Sequence, residues 1–113
     1  MATAEYVQEG DYIDHTPGSD LAAGDVVVQG DLIGIAKGDI AANTLGALAV
    51  EGVFDVPKTT GGGSAITAGA SVYWDEGESV AKTDAEAGAN KLLGKTVLAA
   101  GDNDTTVRVR LSQ

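Results

Sequence analysis

The chain has 113 residues, 17 acids against 7 bases for a formal net charge of −10, and no cysteine. This length suits one domain. The missing thiols exclude disulfides, thiolate nucleophiles and cysteine zinc sites, and the acidity argues against a nucleic-acid or anionic-lipid surface. Hydrophobic residues reach 43% but aromatics only 4%, so alanine supplies much of the apolar count. The expected core is thin, and such a domain gains by oligomerising or by docking on a larger body.

In chain order, Met1 to about Asp20 reads as an irregular N-terminal arm. Its start, Met1-Ala2-Thr3-Ala4-Glu5-Tyr6, lacks the basic and apolar regions of a signal peptide. No apolar run approaches the roughly 20 residues of a membrane span. Tyr6-Val7 and Tyr12-Ile13 are short apolar pairs between polar residues, and Gly10-Asp11 and Pro17-Gly18 read as turns. From Leu21 to the C-terminus the texture is that of a single β domain. Val26-Val27-Val28 and Leu32-Ile33-Gly34-Ile35 flank Gly30-Asp31, which predicts a hairpin with glycine first in a II′-like turn. Leu48, Val50, Phe54 and Val56 share parity, which predicts one long half-buried strand, bulged at Gly52 and ended by Pro57.

Thr59 to Ser64, with three consecutive glycines, reads as a flexible loop. Ala65 to Ala70 has the composition for one helical turn. Val72-Tyr73-Trp74 predicts a strand that turns at Glu76-Gly77-Glu78 and returns through Ser79-Val80-Ala81. Lys82 to Asn90 is loop-like, its alanine-rich helical potential weakened by Gly88. Leu92 to Leu98 is the next strand, and Gly101 to Asp104 a turn cluster. Thr106, Arg108 and Arg110 then alternate with Val107, Val109 and Leu111 in the clearest strand of all. The fold class expected is all-β, a small barrel or sandwich of short strands and hairpins with at most one short helix. A faint internal echo links Leu21-Ala22-Ala23-Gly24-Asp25-Val26 to Ile66-Thr67-Ala68-Gly69-Ala70-Ser71-Val72, as two similar hairpin units.

Catalysis needs a nucleophile, a base and an orienting group, and the chain is poor in all three. His15 is the single histidine, and Asp14 beside it points the other way on an extended chain. Gly-x-Ser-x-Gly is absent, and the glycine loop has no Gly-Lys-Ser/Thr. The acids at Asp75-Glu76-x-Glu78 and Asp102-x-Asp104 resemble a calcium loop only in part, because Asp104 runs into a strand; they read as turn residues. No enzyme, cofactor or metal is therefore expected. What remains is a surface. Phe54, Tyr73 and Trp74 read as core aromatics, whereas Tyr6 and Tyr12 are placed to anchor on a neighbour. Arg108 and Arg110 face either acids of another copy or solvent.

Tyr6-Val7-Gln8-Glu9-Gly10-Asp11, Ala23-Gly24-Asp25-Val26-Val27, Gly52-Val53-Phe54-Asp55-Val56-Pro57-Lys58, Val72-Tyr73-Trp74-Asp75, Leu93-Gly94 and Thr106-Val107-Arg108-Val109-Arg110-Leu111 form an ordered set. In order and spacing it resembles the small capsid cement, or decoration, proteins of tailed bacteriophages. The resemblance covers nearly the whole chain. It implies a non-enzymatic virion protein on the outer capsid surface, made in the host bacterial cytoplasm. The implied partner is the major capsid protein, the implied state a homotrimer, and neither nucleic acid nor membrane is involved. On that reading Tyr6, Val7, Tyr12 and Ile13 are the candidate capsid-binding residues of the arm, and Arg108 and Arg110 the candidate trimer-interface residues. Deleting residues 2–16 is expected to abolish capsid binding and spare the fold. The alternatives are another virion component, such as a head fibre or tail piece, and a lipoyl- or biotinyl-like module. The latter requires a lysine at a hairpin tip, and Lys37, Lys58, Lys82, Lys91 and Lys95 all lack that context.

Overall fold

The computed structural model describes residues 3–6 and 10–112. Within them the chain forms two antiparallel sheets. The first contains β1 (Tyr12–His15), β2 (Val26–Gln29), β3 (Leu32–Ala36) and β4 (Gly46–Ala49), in the order β1-β4-β3-β2. The second contains β5 (Gly52–Pro57), β6 (Ser71–Asp75), β7 (Val80–Lys82), β8 (Lys91–Thr96) and β9 (Thr106–Leu111), in the order β5-β9-β8-β6-β7. It curls until Lys58 bridges Ala81 in parallel, yet it does not close into a barrel. The one helical element is a 3₁₀ turn at Glu86–Gly88. The fold is mainly β, as expected.

Alternation is clearest in β9, whereas β3, covered on both faces, is buried at four consecutive positions. In β9 the valines and Leu111 point inward while Thr106, Arg108 and Arg110 point out. The two sheets meet through Ile33 and Ile35 on one side and Val72, Leu93, Val107 and Val109 on the other. Full burial of such a side chain is worth about 1.5–3 kcal/mol. A second, smaller cluster of Ala36, Ile40 and Leu48 lies on the opposite face of the first sheet, with Ile13, Leu21 and Val27 packed on it. The β2–β3 hairpin forms as predicted. Gly30 has φ +61°, the left-handed value that a II′ turn requires at its first central position.

Three expectations need correction. Tyr12–His15 is not irregular: it pairs with β4, Ile13 opposite Leu48. Two inward residues in four are too weak a pattern to read, and the pairing exists only because β4 is there. A deletion through residue 16 would therefore remove a strand. The long strand through Leu48 and Val56 is in fact two strands in different sheets. The chain changes sheet at Val50–Glu51 and Gly52 turns the corner with φ +125°, so the shared parity is carried across a break. Ala65–Ala70 makes no helical turn. Ile66 bridges Ala100, and Gly69 turns at φ +79°.

The internal echo extends through most of the molecule. In the first unit Leu21 bridges Ile40, Gly24 turns at φ +93° and donates to the Ala36 carbonyl at 2.6 Å, and Ala36 donates to Asp25 at 3.0 Å. In the second, Ile66 bridges Ala100, Gly69 donates to the Thr96 carbonyl at 2.8 Å, and Thr96 donates to Ala70 at 2.9 Å. The strands follow suit. β4 lies beside β3 as β9 lies beside β8, with β1 and β5 outside them. The units differ at one place. Gly30–Asp31 joins β2 to β3, whereas residues 76–90 lie between β6 and β8 and supply β7.

Candidate functional site

The acids serve mostly as turn builders. Asp20, Asp25 and Asp39 accept from the backbone N–H groups of Ala42, Ala22 and Ala23, each within 3.0 Å. Asp102 accepts from Ala65 and Asp104 from Gly101, both at 2.8 Å. Asp25 and Asp104 make the local three-residue bonds that Asp offers in turns, whereas Asp20, Asp39 and Asp102 tie one turn to another segment 16 to 37 positions away. Among the described residues no group of three or more His, Asp or Glu side chains is placed to hold a metal. His15 sits half-buried in β1 opposite Gly46. The tip of the β2–β3 hairpin, Gly30–Asp31, carries no lysine.

Two lysines tie together segments at the margins of the second sheet. Lys58 follows β5 and is only 5% exposed. Its Nζ donates to the carbonyls of Thr59 (2.7 Å), Gly101 (2.9 Å) and Asp104 (3.1 Å), with Ser64 Oγ at 3.5 Å. It thus fastens the glycine loop to the 101–104 turn. Lys82 closes β7 among acids. Its Nζ lies 2.9 Å from Asp75 Oδ2 and 3.6 Å from Glu86, and it also pairs with Glu78. The Lys82 ammonium holds the Asp75 carboxyl down to about 2, helped by the Glu78 backbone N–H at 3.0 Å, and the acids in turn raise Lys82.

The sign of the pH effect follows. A carboxyl lowered on folding adds stability above its unfolded value, about 3.8, and that stability is lost as pH falls toward about 2. Asp55, lowered by its hydrogen bond to Arg108, acts in the same direction. Thermal melts of the wild type are expected to fall across this window, and those of Asp75→Asn to start lower and fall less. Parallel curves for the two proteins would contradict the assignment.

Of the arm candidates, Tyr6 is 75% exposed and Tyr12 41% exposed. Tyr12 opens β1, and its hydroxyl accepts from Lys37 Nζ at 2.6 Å. Ile13 packs inward on the smaller core cluster and is partly buried there. Val7 lies outside the described residues. Arg108 and Arg110 project from the outer face of the second sheet. Arg108 Nε donates to Asp55 Oδ1 at 2.9 Å, and Arg110 lies 3.7 Å from Glu51. All four side chains stay about half exposed, and ion pairs so exposed stabilise little. Val53 and Val97, both exposed, flank the arginines: Val53 is paired with Arg110, and the Val97 N–H donates to the Arg108 carbonyl. Of the core aromatics, Trp74 is buried and Phe54 packs against the main cluster, while Tyr73 is half-buried. Lys58 and Lys82 were not singled out by the sequence. The only cue was the position of Lys58, directly after a strand-ending proline.

A family model described as phage cement protein matches residues 7–111. No curated protein and no solved structure matches the chain.

Proposed function

This chain belongs to the phage cement protein family, and from that premise we propose that it coats the outer surface of the expanded head and bridges neighbouring major capsid protein subunits. Membership makes it a capsid-associated structural component of the virion. The observation that carries the finer reading is the family match over nearly the whole chain. The geometry suits the role: a two-sheet body, exposed residues 3–6 and 10–11 ahead of β1, and aspartates occupied in turns. The role is structural and non-enzymatic.

The mechanism is mechanical cross-linking. Tyr6 and Tyr12 anchor the N-terminal segment on the lattice, and copies act as a homotrimer whose three weak contacts combine by avidity. Arg108 and Arg110 serve the contact between copies by exchanging Asp55 and Glu51 for acids of a neighbour. A protein that binds only the expanded lattice stabilises that lattice by linkage.

Because β1 belongs to the body, the decisive truncation removes residues 2–10 only. The wild type is expected to co-sediment with expanded shells and not with unexpanded ones, and the truncated chain to bind about tenfold or more weakly. Full decoration by the truncated chain would remove the arm from the mechanism. Failure of the wild type to bind expanded shells would remove the cement role. Light scattering should give a mass near three times 11.3 kDa.

A further inference from the structure

The two units treat equivalent edges differently. In the second, β7 covers the outer edge of β6, with Tyr73 opposite Lys82, Trp74 opposite Ala81 and Asp75 opposite Val80. In the first, β2 occupies the position of β6, and no strand of the described residues lies beyond it. The register shows which groups are left facing out. Gln29 and Leu32 close the two-residue turn, and Ala36 donates to Asp25. Residues 27 and 29 therefore exchange ladder bonds with β3, Asp25 accepts from Ala36 while its own N–H donates to Ala22, and the N–H and C=O groups of Val26 and Val28 point away from β3. Natural edges are usually guarded by lysine, proline or a bulge. β2 reads Val26-Val27-Val28-Gln29, with no lysine or proline; a Gly24–Asp25 bulge opposite Ala36 guards only its start, and its shortness is the other guard.

A cleft runs along the start of this edge. Leu21, Val26, Pro57 and Trp74 form its apolar lining, and Asp25 and Glu76 its charged lining, with no base among them. The occupant that fits is extended, carries small or β-branched side chains toward the cleft, and is cationic. β7 is itself such a segment: Val80 and Ala81 followed by Lys82, which is held by acids. The chain's own N-terminal segment, with Glu5 and Glu9, has the wrong charge.

We propose that the outer edge of β2 receives an extended cationic segment of the capsid shell, added antiparallel as a fifth strand of the first sheet in the way β7 is added to β6. The identity of the shell as donor rests on the cement reading; the strand geometry rests on the repeat.

Amide exchange of the wild type, alone and on expanded shells, tests this directly. After quenching and release from the shells, the Val26 and Val28 amides are expected to show exchange slowed about tenfold or more. Val28→Pro removes one outward donor without touching the ladder to β3, and Glu76→Gln removes charge from the cleft. Each is expected to weaken shell binding about tenfold. Shell binding that leaves Val26 and Val28 unprotected overturns the proposal and leaves the cement role intact. Protection of the two amides in the free protein, growing with concentration, overturns it in favour of a second copy. Absence of shell binding removes the cement role and this proposal with it.

Discussion

Replacing Gly94 by alanine should abolish the native fold. Gly94 stands in β8 opposite Leu111 of β9, near the middle of the five-stranded sheet. A Cβ there would lie 2.0 Å from the Arg110 carbonyl oxygen, 2.8 Å from its carbon and 3.0 Å from Leu111 Cα. All three are backbone atoms, so no rotamer change relieves the overlap. β8 and β9 would have to separate, and with them Leu93 and Leu111, which are 0% and 1% exposed. Overpacking alone costs about 1–3 kcal/mol, and more when backbone must move. A domain of this size has about 5–15 kcal/mol in all. The expected result is loss of the urea transition or a midpoint lowered by at least half, read by Trp74 fluorescence. Gly34 is the counterpart in the first unit. Its added Cβ would lie 2.8 Å from Leu48 Cβ, which no rotamer moves, and 3.0 Å from Leu48 Cδ1, so Gly34→Ala should also destabilise, but less than Gly94→Ala because the overlap is smaller. At Gly38 nothing lies within 4 Å, and Gly38→Ala should be nearly neutral. Equal midpoints for Gly94→Ala and Gly38→Ala would refute the steric account.

The second large effect is expected at Lys58. Its ammonium is nearly buried and serves three carbonyls, one next to it at Thr59 and two in the distant 101–104 turn. Lys58→Met keeps the aliphatic stem and removes the donor. Carbonyls that lose a partner in a buried setting cost about 1–3 kcal/mol each when water cannot replace it. Of the three carbonyl residues Thr59 lines the neighbouring cleft with the glycine loop, where solvent can replace the lost donor, so the net loss should be about 3 kcal/mol. The damage should be local as well as global. Gly61 donates to Asp102 and Ile66 to Ala100, and both amides should exchange faster in the variant than the amides of β2 and β3. Lys58→Arg should not restore the wild type, because a planar fork does not fit three carbonyls arranged around one point. A Lys58→Met protein with unchanged stability and unchanged exchange at Gly61 would show that the clamp is idle.

Much of the body was legible in the residues. Thr106 to Leu111 alternates without interruption, and the structure makes it β9, buried at every second position. Gly30-Asp31 between two apolar runs specified a hairpin, because few turn geometries join strands through two residues. The family resemblance, carried by the ordered motifs, agrees with the family match over residues 7–111. The candidate site was legible only in part. Tyr6 and Tyr12 keep exposed surface, whereas Ile13 is partly buried, since its direction is set by pairing with Leu48. The clamp at Lys58 was not legible, because its carbonyl partners are separated from it by 1, 43 and 46 positions, and a backbone carbonyl leaves no mark in a sequence.

The division has a physical cause. Alternation, turn residues and composition act between near neighbours, so the sequence by itself determined an acidic, cysteine-free, mainly β chain with its hairpin and its last strand in place. Which strands share a sheet is decided by contacts between distant segments. Only the tertiary structure therefore split Leu48 to Val56 between two sheets, drew Tyr12–His15 into the first, and placed β7 over one unit while leaving the matching edge of the other uncovered.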